Sequence, residues 1–217
     1  MADLQKTLRD IKAAPRSADR PRAKREDPEV RRQKLLDAAV VCLARVGPHG
    51  TTGREICRQA GVSHSLIRHY FGNPQALLLE AYKQLCGQFL DRFESDVAAA
   101  GDDPWLALDR FFALHFSTEW AGSDVLGAWI GFWTLIRGSG DFAAERERFN
   151  VRLTALLTDI VARIPKSPAA PAITDTVLIL GGVMDGLWLE IGLSPTSLHA
   201  DRAVALCNAA ARRVLTD

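Results

Sequence analysis

The chain has 217 residues, of which 47% are apolar and 24% are charged, a composition that fits a soluble globular protein of one domain or two small ones. Its charged first residues contain no apolar stretch of the kind found in signal peptides, and the apolar runs at 125–136 and 177–184 are shorter than the roughly 18 residues of a membrane span. We therefore expect a cytoplasmic protein with no membrane partner.

The formal net charge of +1 conceals two halves of opposite sign. Residues 1–72 contain 15 Lys and Arg against 8 Asp and Glu, a net charge of +7, whereas residues 73–217 contain 12 against 18, a net charge of −6. Lys and Arg gain affinity for nucleic acids by displacing counterions from phosphates, so a polyanion partner is indicated at the amino-terminal end.

Cysteine spacing indicates buried free thiols, with neither a metal site nor a cofactor. The four cysteines are Cys42, Cys57, Cys86 and Cys207.

The chain begins with a segment that lacks an apolar period. Residues 1–27 mix charges and prolines and carry a net charge of +3, which predicts a basic, mostly disordered tail that contacts either phosphates or an adjacent minor groove. Pro28 suits the first turn of a helix, and Gly47 is placed to end that helix. The helix between them carries one apolar stripe, formed by Leu36, Ala39, Val40 and Leu43.

A short second helix and a tight turn follow. Thr52 is placed to cap this helix, which carries Ile56 and Ala60 on its inner face. Gly61 can take the left-handed conformation that ends the helix, and the Ser63 hydroxyl can accept from the free N–H groups that begin the next one.

The third helix has an apolar inner face and a polar outer face. Ile67 and Phe71 are four residues apart and should face the core. Two short helices joined by a glycine-containing turn, the second one polar outside, make a helix-turn-helix, whose second helix fits a major groove about 12 Å wide. The alternative is that the outer residues are merely solvated. They are His64, Ser65, Arg68 and His69.

The remainder is predicted to be a helical bundle. Asn73 and Pro74 open a long fourth helix, and further helices are expected at 103–116, 123–138, 141–164, 173–192 and 195–215, with a proline-rich loop at 166–172. All five tryptophans lie beyond residue 100, which is typical of either a plain core or a core with a ligand pocket.

Small residues on the last two helices indicate a close helix contact, either with a second copy or within one chain. They are Gly182 and Gly186, and then Ala203, Cys207, Ala210 and Val214.

The order of these motifs resembles a known family. RRQKLLDAA, RVG and TTGREICRQAGVSHSLIRHYFGNPQALLLEAY, over residues 29–82, resemble the DNA-binding domain of TetR-family transcriptional regulators. AWIGFW at 128–133 and DGLWLEIGL at 185–193 resemble the carboxy-terminal domain of BetI-type members. The resemblance implies that the first three helices bind DNA and that the rest binds a small molecule and dimerises. Two positions depart from the family pattern: Pro74 stands where lysine is common, and Gly53 stands where a β-branched residue is common.

We therefore expect an all-α protein with three parts. They are the tail at 1–27, a three-helix helix-turn-helix domain at 28–72, and a larger helical-bundle domain for ligand binding and dimerisation at 73–217. The predicted function is a ligand-responsive repressor that binds a palindromic operator as a homodimer.

The predicted DNA contacts divide by chemistry. Arg68 can donate two hydrogen bonds to a guanine edge, and His64 and Ser65 can each donate or accept at a base. The remaining candidates, better placed for phosphates or at the turn, are Thr52, Arg54, Ser63, His69 and Tyr70, with Tyr70 equally interpretable as a packed residue.

The predicted effector site is a set of aromatic rings with one acid: Phe112, Phe116, Trp129, Trp133, Asp185 and Trp188. Aromatic faces attract cations, and the BetI-type resemblance points to a quaternary ammonium compound such as choline, although a neutral ligand suits the same rings. Two other functions stay open: an enzyme using His115, Glu119 and Asp185 as acid–base groups, and a non-specific DNA-binding protein.

Overall fold

The computed structural model describes residues 27–194, 196 and 198–216. These residues form ten α-helices and no strand, so the all-α prediction is confirmed. The prediction for the tail lies outside the described residues, apart from Asp27. The helices are α1 (Pro28–Gly50), α2 (Gly53–Ala60), α3 (Ser65–Phe71), α4 (Pro74–Ala98), α5 (Pro104–His115), α6 (Thr118–Ala121), α7 (Ser123–Ile136), α8 (Gly140–Ala162), α9 (Ile173–Leu193) and α10 (Ala200–Thr216).

The chain divides into two compact units. The first contains the residues up to 85 together with 124–145, and the second contains 86–123 together with the residues from 146 onwards. Both α4 and α8 run through the two units, because the boundaries after residues 85 and 145 fall inside these helices, whereas the third boundary falls after Ser123, the first residue of α7. The predicted domain boundary at 72 and 73 stays a prediction.

Helix α1 forms as its sequence predicts. The Asp27 carboxylate accepts from the backbone N–H of Glu29 at 2.8 Å, and Pro28 occupies the first turn. Gly47 has a φ of +65°, which breaks the helix at the predicted residue and leaves Pro48–Gly50 as one further turn. The predicted apolar stripe is buried, and so are its neighbours. The buried residues are Leu35, Leu36 and Ala38 to Leu43.

Helix α7 packs against α1 within the first unit through two glycines. A Cβ atom at Gly127 would lie 2.8 Å from the Ala44 carbonyl oxygen, and one at Gly131 would lie 2.5 Å from Leu43 Cγ. The two helices therefore approach each other more closely than any larger residue would allow. On α4, the Tyr82 ring lies 4.8 Å from Phe132 and 6.0 Å from Trp129, between ring centroids, so an aromatic cluster holds α4 to α7.

The second unit contains the rest of the bundle. The Asp103 carboxylate caps α5 by accepting from the N–H groups of Trp105 and Leu106. The short helix α6 was not predicted, and its Trp120 is fully buried. The Trp188 indole N–H of α9 donates to the Trp120 carbonyl oxygen at 3.2 Å, which joins α9 to α6.

The last two helices depart from the prediction in one boundary. Helix α9 spans Ile173–Leu193, close to the prediction, whereas α10 starts at Ala200 rather than near 195. Ala203 and Cys207 are fully buried within the chain, as are the other three cysteines, and all four thiols are free. The predicted buried thiols are confirmed.

One helix has the length and composition of a membrane span. Among the described residues, α9 has a mean hydropathy of 1.6, and 28% of its apolar window is buried. The sequence prediction considered only the uninterrupted run at 177–184 and so missed this property. Length and composition are weak grounds for a membrane span, because helices of soluble proteins meet the same criterion.

Candidate DNA-binding surface and effector site

Helix α3 presents the polar face that the sequence predicts. Ile67 is buried, which orients the helix on the first unit, and Phe71 is half-buried. The predicted outer residues His64, Ser65, Arg68 and His69 are all exposed. Within the part of the chain that the structure describes, Arg68 forms no ion pair, so its guanidinium is available to an external acceptor.

The turn between α2 and α3 is held by local hydrogen bonds. Gly61 adopts φ +66° and ψ +32°, the predicted left-handed conformation. The Val62 N–H donates to the Cys57 carbonyl at 3.1 Å, and the Cys57 thiol lies 3.7 Å from the Ser63 carbonyl oxygen. The two helices are therefore fixed relative to each other by a short corner.

The predicted cap at Ser63 is wrong. The residue that precedes α3 is His64, which makes no side-chain cap, and the Ser63 hydroxyl lies 2.7 Å from the Ser65 hydroxyl. The chain turns one residue later than the sequence pattern suggested, so the Ser63 and Ser65 hydroxyls pair with each other on the exposed side. Both remain on the candidate DNA-binding surface.

Helix α2 carries two exposed arginines with different surroundings. Arg58 is paired with Glu55, with Nε 2.8 Å from Oε2, and this hydrogen bond lowers the pKa of the Glu55 carboxyl. Arg54 forms no ion pair among the described residues. Thr52 caps the helix by accepting from the Glu55 N–H at 3.2 Å, as predicted, and its own O–H can still donate to a phosphate.

A cleft lies between α2 and the start of α3. Its volume is about 400 Å³, and its lining includes both arginines of α2. The lining residues are Arg54, Cys57, Arg58, Val62 and His64. A basic cleft beside the exposed face of α3 suits the backbone of a nucleic acid.

Gly53 and Pro74, the two residues that depart from the family pattern, lie close together, and His64 lies beside Gly53. A Cβ atom at Gly53 would lie 3.0 Å from Pro74 Cγ and 3.1 Å from His64 Nε2. Glycine at 53 therefore accommodates both the proline ring of α4 and the imidazole of a candidate base-reading residue. Sequence patterns missed this relationship, because the three residues are separated along the chain.

The end of α3 is supported by α1 and α4. The Arg32 guanidinium lies over the Phe71 ring at 5.3 Å and donates to the Glu80 carboxylate at 2.9 Å. The rings of His69 and Tyr70 are in edge contact at 4.8 Å, and Tyr70 is half-buried. Tyr70 therefore takes part in packing, which does not prevent its hydroxyl from reaching a phosphate.

The predicted effector residues fall in both units. Trp129, which is buried, and Trp133, which is half-buried, belong to the first unit. Phe112, Phe116 and Trp188 are buried in the second unit.

Asp185, also in the second unit, is exposed on α9. Although the residue as a whole is exposed, the protein around its carboxyl displaces part of the water and so raises the carboxyl pKa, and the charge of Arg146 partly opposes the rise.

Sequence comparison assigns both parts of the chain to described families. Residues 35–81 match the bacterial regulatory proteins of the tetR family, and residues 106–216 match the carboxy-terminal domain of BetI-type transcriptional repressors. The chain belongs to the TetR family. It is thus a DNA-binding transcriptional regulator with a BetI-type carboxy-terminal domain, as predicted.

Individual relatives agree with this assignment. The chain is 26% identical over 182 residues to the HTH-type transcriptional regulator BetI of Vibrio atlanticus, which covers 83% of this chain and 90% of that protein. Its structure is similar to that of a transcriptional regulator from Pseudomonas aeruginosa PAO1, with 29% identity, a TM-score of 0.78, and coverage of 88% and 96%. A Saccharomonospora viridis regulator in complex with choline shares the fold, with 19% identity, a TM-score of 0.73, and coverage of 82% and 93%.

Membership of the TetR family also decides between regulator and enzyme. The matched families and relatives are transcriptional regulators. The enzyme alternative named His115, Glu119 and Asp185 as acid–base groups. Of these, His115 is buried among aromatic rings and Asp185 is exposed, so the structure does not arrange them as a catalytic set.

Proposed function

We propose that this TetR-family regulator is a homodimeric repressor that binds a palindromic operator through α3 and is released from it by a small-molecule effector. The observation that carries the proposal is the exposed polar face of α3, presented by the left-handed Gly61 turn while Ile67 anchors the opposite side. A helix presented in this way matches the major groove in width and in hydrogen-bonding chemistry.

Within this proposal, the residues of the surface have different roles. Arg68 reads a guanine through two hydrogen bonds, and His64 and Ser65 contact base edges. Phosphate contacts come from the first turn of α2 and from the end of α3. These residues are Thr52, Arg54, His69 and Tyr70, with Ser63 supporting Ser65 through their shared hydrogen bond.

The dimer is proposed to form through α9. Its outward residues Leu178, Ile179 and Leu193 are 76%, 41% and 68% exposed, an unusual stripe for a soluble helix. Gly182 and Gly186 lie on the same face, and a Cβ atom at either would meet nothing within 4 Å among the described residues. These glycines therefore pack against no other described element, which supports close approach by a second copy. The same stripe accounts for the apolar character of α9 in a soluble cytoplasmic protein.

Ala203 and Cys207 do not belong to this proposed interface, because both are fully buried within the chain. Ala210 and Val214 on α10 are half-buried and can border it. The predicted small-residue stripe on α10 thus divides between packing within the chain and the edge of the dimer.

DNA selection tests the operator. Purified full-length protein is incubated with a random DNA pool, and bound sequences are recovered and aligned. Two-fold copies of α3 should select a palindrome whose half-sites lie about 34–36 Å apart, or one helical turn. Recovery of DNA without a preferred palindrome would contradict the proposal and favour a non-specific DNA-binding protein.

The effector is proposed to act from the carboxy-terminal domain, predicted to span 73–217, on the DNA-binding domain at 28–72. Two helices support such coupling: α4 runs through both compact units, and α7 packs on α1 through Gly127 and Gly131. Coupling between two sites is typically about 1–3 kcal/mol, whereas a switch from 1:99 to 99:1 needs about 5.5 kcal/mol. Partial release of the operator is therefore the expected outcome of a single binding event.

A cationic effector is one specific form of the proposal. Phe116 and Trp188 are aromatic faces in the second unit, Asp185 lies one turn before Trp188, and the S. viridis regulator has been crystallised with choline. Calorimetric titration with choline, betaine aldehyde and their neutral isosteres, followed by an operator-release assay, tests it. If only the neutral compounds release the operator, the proposal of a cationic effector is rejected and the repressor proposal is retained.

A further inference from the structure

A buried histidine in the second unit has no hydrogen-bonding partner. His115 ends α5 and is buried, with 6% of its surface exposed, and its two buried ring nitrogens have no partner among the described residues. Buried polar side-chain atoms in native proteins are nearly always paired, because an unpaired one costs about 1–3 kcal/mol. The position therefore needs an explanation beyond packing within the chain.

Four aromatic rings lie around His115. Its ring centroid lies 5.1 Å from Phe116, 6.2 Å from Trp188 and 6.4 Å from Phe89, and all of these rings are uncharged. Phe93 lies at 6.4 Å. No side chain in this cluster offers the imidazole a strong hydrogen-bond partner, because the Trp188 N–H already donates to the Trp120 carbonyl.

Two further unpaired polar atoms lie within five residues of His115. The Ser117 hydroxyl and the Trp120 indole N–H are buried and without partners in the described part of the chain. Trp120 contacts Phe89 at 4.5 Å, so the Trp120 and His115 rings flank the same phenylalanine. The connection from α5 to α6 thus concentrates unpaired donors and acceptors inside an apolar cluster.

The geometry points to His115 as the hydrogen-bonding anchor of the effector site, where its imidazole pairs with a hydroxyl or carbonyl oxygen of the effector while Phe89, Phe116 and Trp188 cover the apolar part. This inference rests on the proposed effector-responsive function and deepens it. Of the anchor residues, only Phe116 and Trp188 belong to the set predicted from the sequence.

The chemistry of the ring defines the ligand class. Burial lowers the pKa of the His115 imidazole to about 3, so the ring is neutral at physiological pH, with one N–H donor and one nitrogen acceptor. A hydroxyl group can pair with either nitrogen, and a carbonyl oxygen can accept from the N–H. A carboxylate would bring an uncompensated negative charge into the aromatic cluster, which disfavours acidic effectors.

Matched probes test the anchor. Choline carries a hydroxyl, ethyltrimethylammonium is the same cation without it, and 3,3-dimethylbutan-1-ol keeps the hydroxyl without the charge. Each is titrated calorimetrically into the wild-type chain and into His115→Leu and His115→Gln. In the wild type, choline should bind more tightly than ethyltrimethylammonium by a factor of about 5 to 150, the ratio that corresponds to leaving a buried polar group unpaired.

The variants distinguish a ligand anchor from a structural histidine. His115→Leu should fold at least as stably as the wild type, because it removes unpaired buried atoms, but its affinity ratio between choline and ethyltrimethylammonium should fall to about one. His115→Gln, which keeps a donor and an acceptor, should restore part of the ratio. An equal ratio in wild type and His115→Leu, as expected if the ring only binds a trapped water, overturns the inference. Failure of both hydroxyl-bearing probes to bind also overturns it.

Operator binding tests the proposed function separately. The same wild-type protein is tested against its selected operator without any effector. If the calorimetry contradicts the His115 anchor but the protein still binds its operator, the repressor proposal is unaffected. If the protein selects no DNA, the repressor proposal is rejected, and the calorimetric comparison at His115 remains valid.

Discussion

Arg68 and Arg54 are both exposed and free of acidic partners among the described residues, yet they lie on different helices. We expect Arg68→Ala to cost about 1–3 kcal/mol of binding free energy at one operator base pair, since it removes a bidentate base contact. We expect Arg54→Ala to weaken binding to all DNA sequences alike and to reduce the slope of log affinity against log salt concentration by about one unit. Titrations against operator variants at several salt concentrations measure both. Arg92→Ala is the control, because Arg92 is an exposed arginine of α4 that does not line the cleft and lies 3.6 Å from the Asp96 carboxylate. Equal losses across all operator variants would contradict base reading by Arg68.

Gly53, His64 and Pro74 form a coupled group, so their substitutions should not be additive. Gly53→Ala places a methyl group about 3 Å from the proline ring and the imidazole; the ring is rigid, so the imidazole must move. We expect weaker operator binding, with part of the loss recovered in the double variant Gly53→Ala, Pro74→Ala. The two single variants and the double variant form a double-mutant cycle, in which contacting residues typically show interaction energies of about 0.5–3 kcal/mol. An additive cycle would show that the contact has no energetic consequence.

His115 predicts a pH dependence of stability. The His115 pKa is lowered from an ordinary value of 6.5 in the unfolded chain to about 3 in the folded chain. Below pH 6.5 the unfolded state therefore binds more protons than the folded state, and the free energy of unfolding decreases as the pH is lowered. The loss should reach about 2 kcal/mol at pH 5. Urea denaturation of the wild type and His115→Leu between pH 7 and pH 5 measures it. Parallel curves for the two proteins would contradict a neutral buried His115.

At the scale of elements, the contact between α1 and α7 is narrow enough to be broken by one methyl group. Gly127→Ala would bring Cβ to 2.8 Å from the backbone oxygen of Ala44, which cannot move without shifting α1. Overpacking costs about 1–3 kcal/mol, and the gain in helix propensity offsets at most about 1 kcal/mol. We therefore expect a net loss in the free energy of unfolding, measured in urea.

A matched glycine provides the control for that substitution. Gly87 lies inside α4, and a Cβ atom there would meet nothing within 4 Å among the described residues. Gly87→Ala should stabilise the chain by about 0.5–1 kcal/mol through helix propensity alone. If Gly127→Ala and Gly87→Ala change the free energy of unfolding in the same direction, the close approach of α7 to α1 does not determine the effect of Gly127→Ala.

At the scale of the whole molecule, the exposed stripe of α9 predicts an obligatory dimer. If Leu178 is buried against a second copy, the folding stability depends on protein concentration, because only folded chains associate. Leu178→Glu should yield a monomer in light scattering, remove that dependence, and lose most operator affinity. Val151→Glu is the control, since Val151 is 58% exposed on α8. A Leu178→Glu protein that remains dimeric would place the interface elsewhere.

Local patterns in the sequence determined the helices and the DNA-binding face. The cap at Thr52 and the left-handed Gly61 act over a few residues, so spacing alone predicts them. Burial of Ile67 likewise follows from its four-residue spacing to Phe71, which orients α3. Ser63 is the exception within this range, because its hydroxyl pairs with the Ser65 hydroxyl and does not cap α3.

Contacts between distant residues were decided by the tertiary structure alone. The meeting of Gly53 with Pro74, the close approach of Gly127 to Ala44, and the unpaired nitrogens of His115 depend on how helices pack, which spacing along one helix does not contain. The same holds for α10: its small residues look alike in sequence, but Ala203 and Cys207 are buried inside the chain while the glycines of α9 face outwards. Periodicity determines that a helix has an apolar face, and only packing decides what covers it.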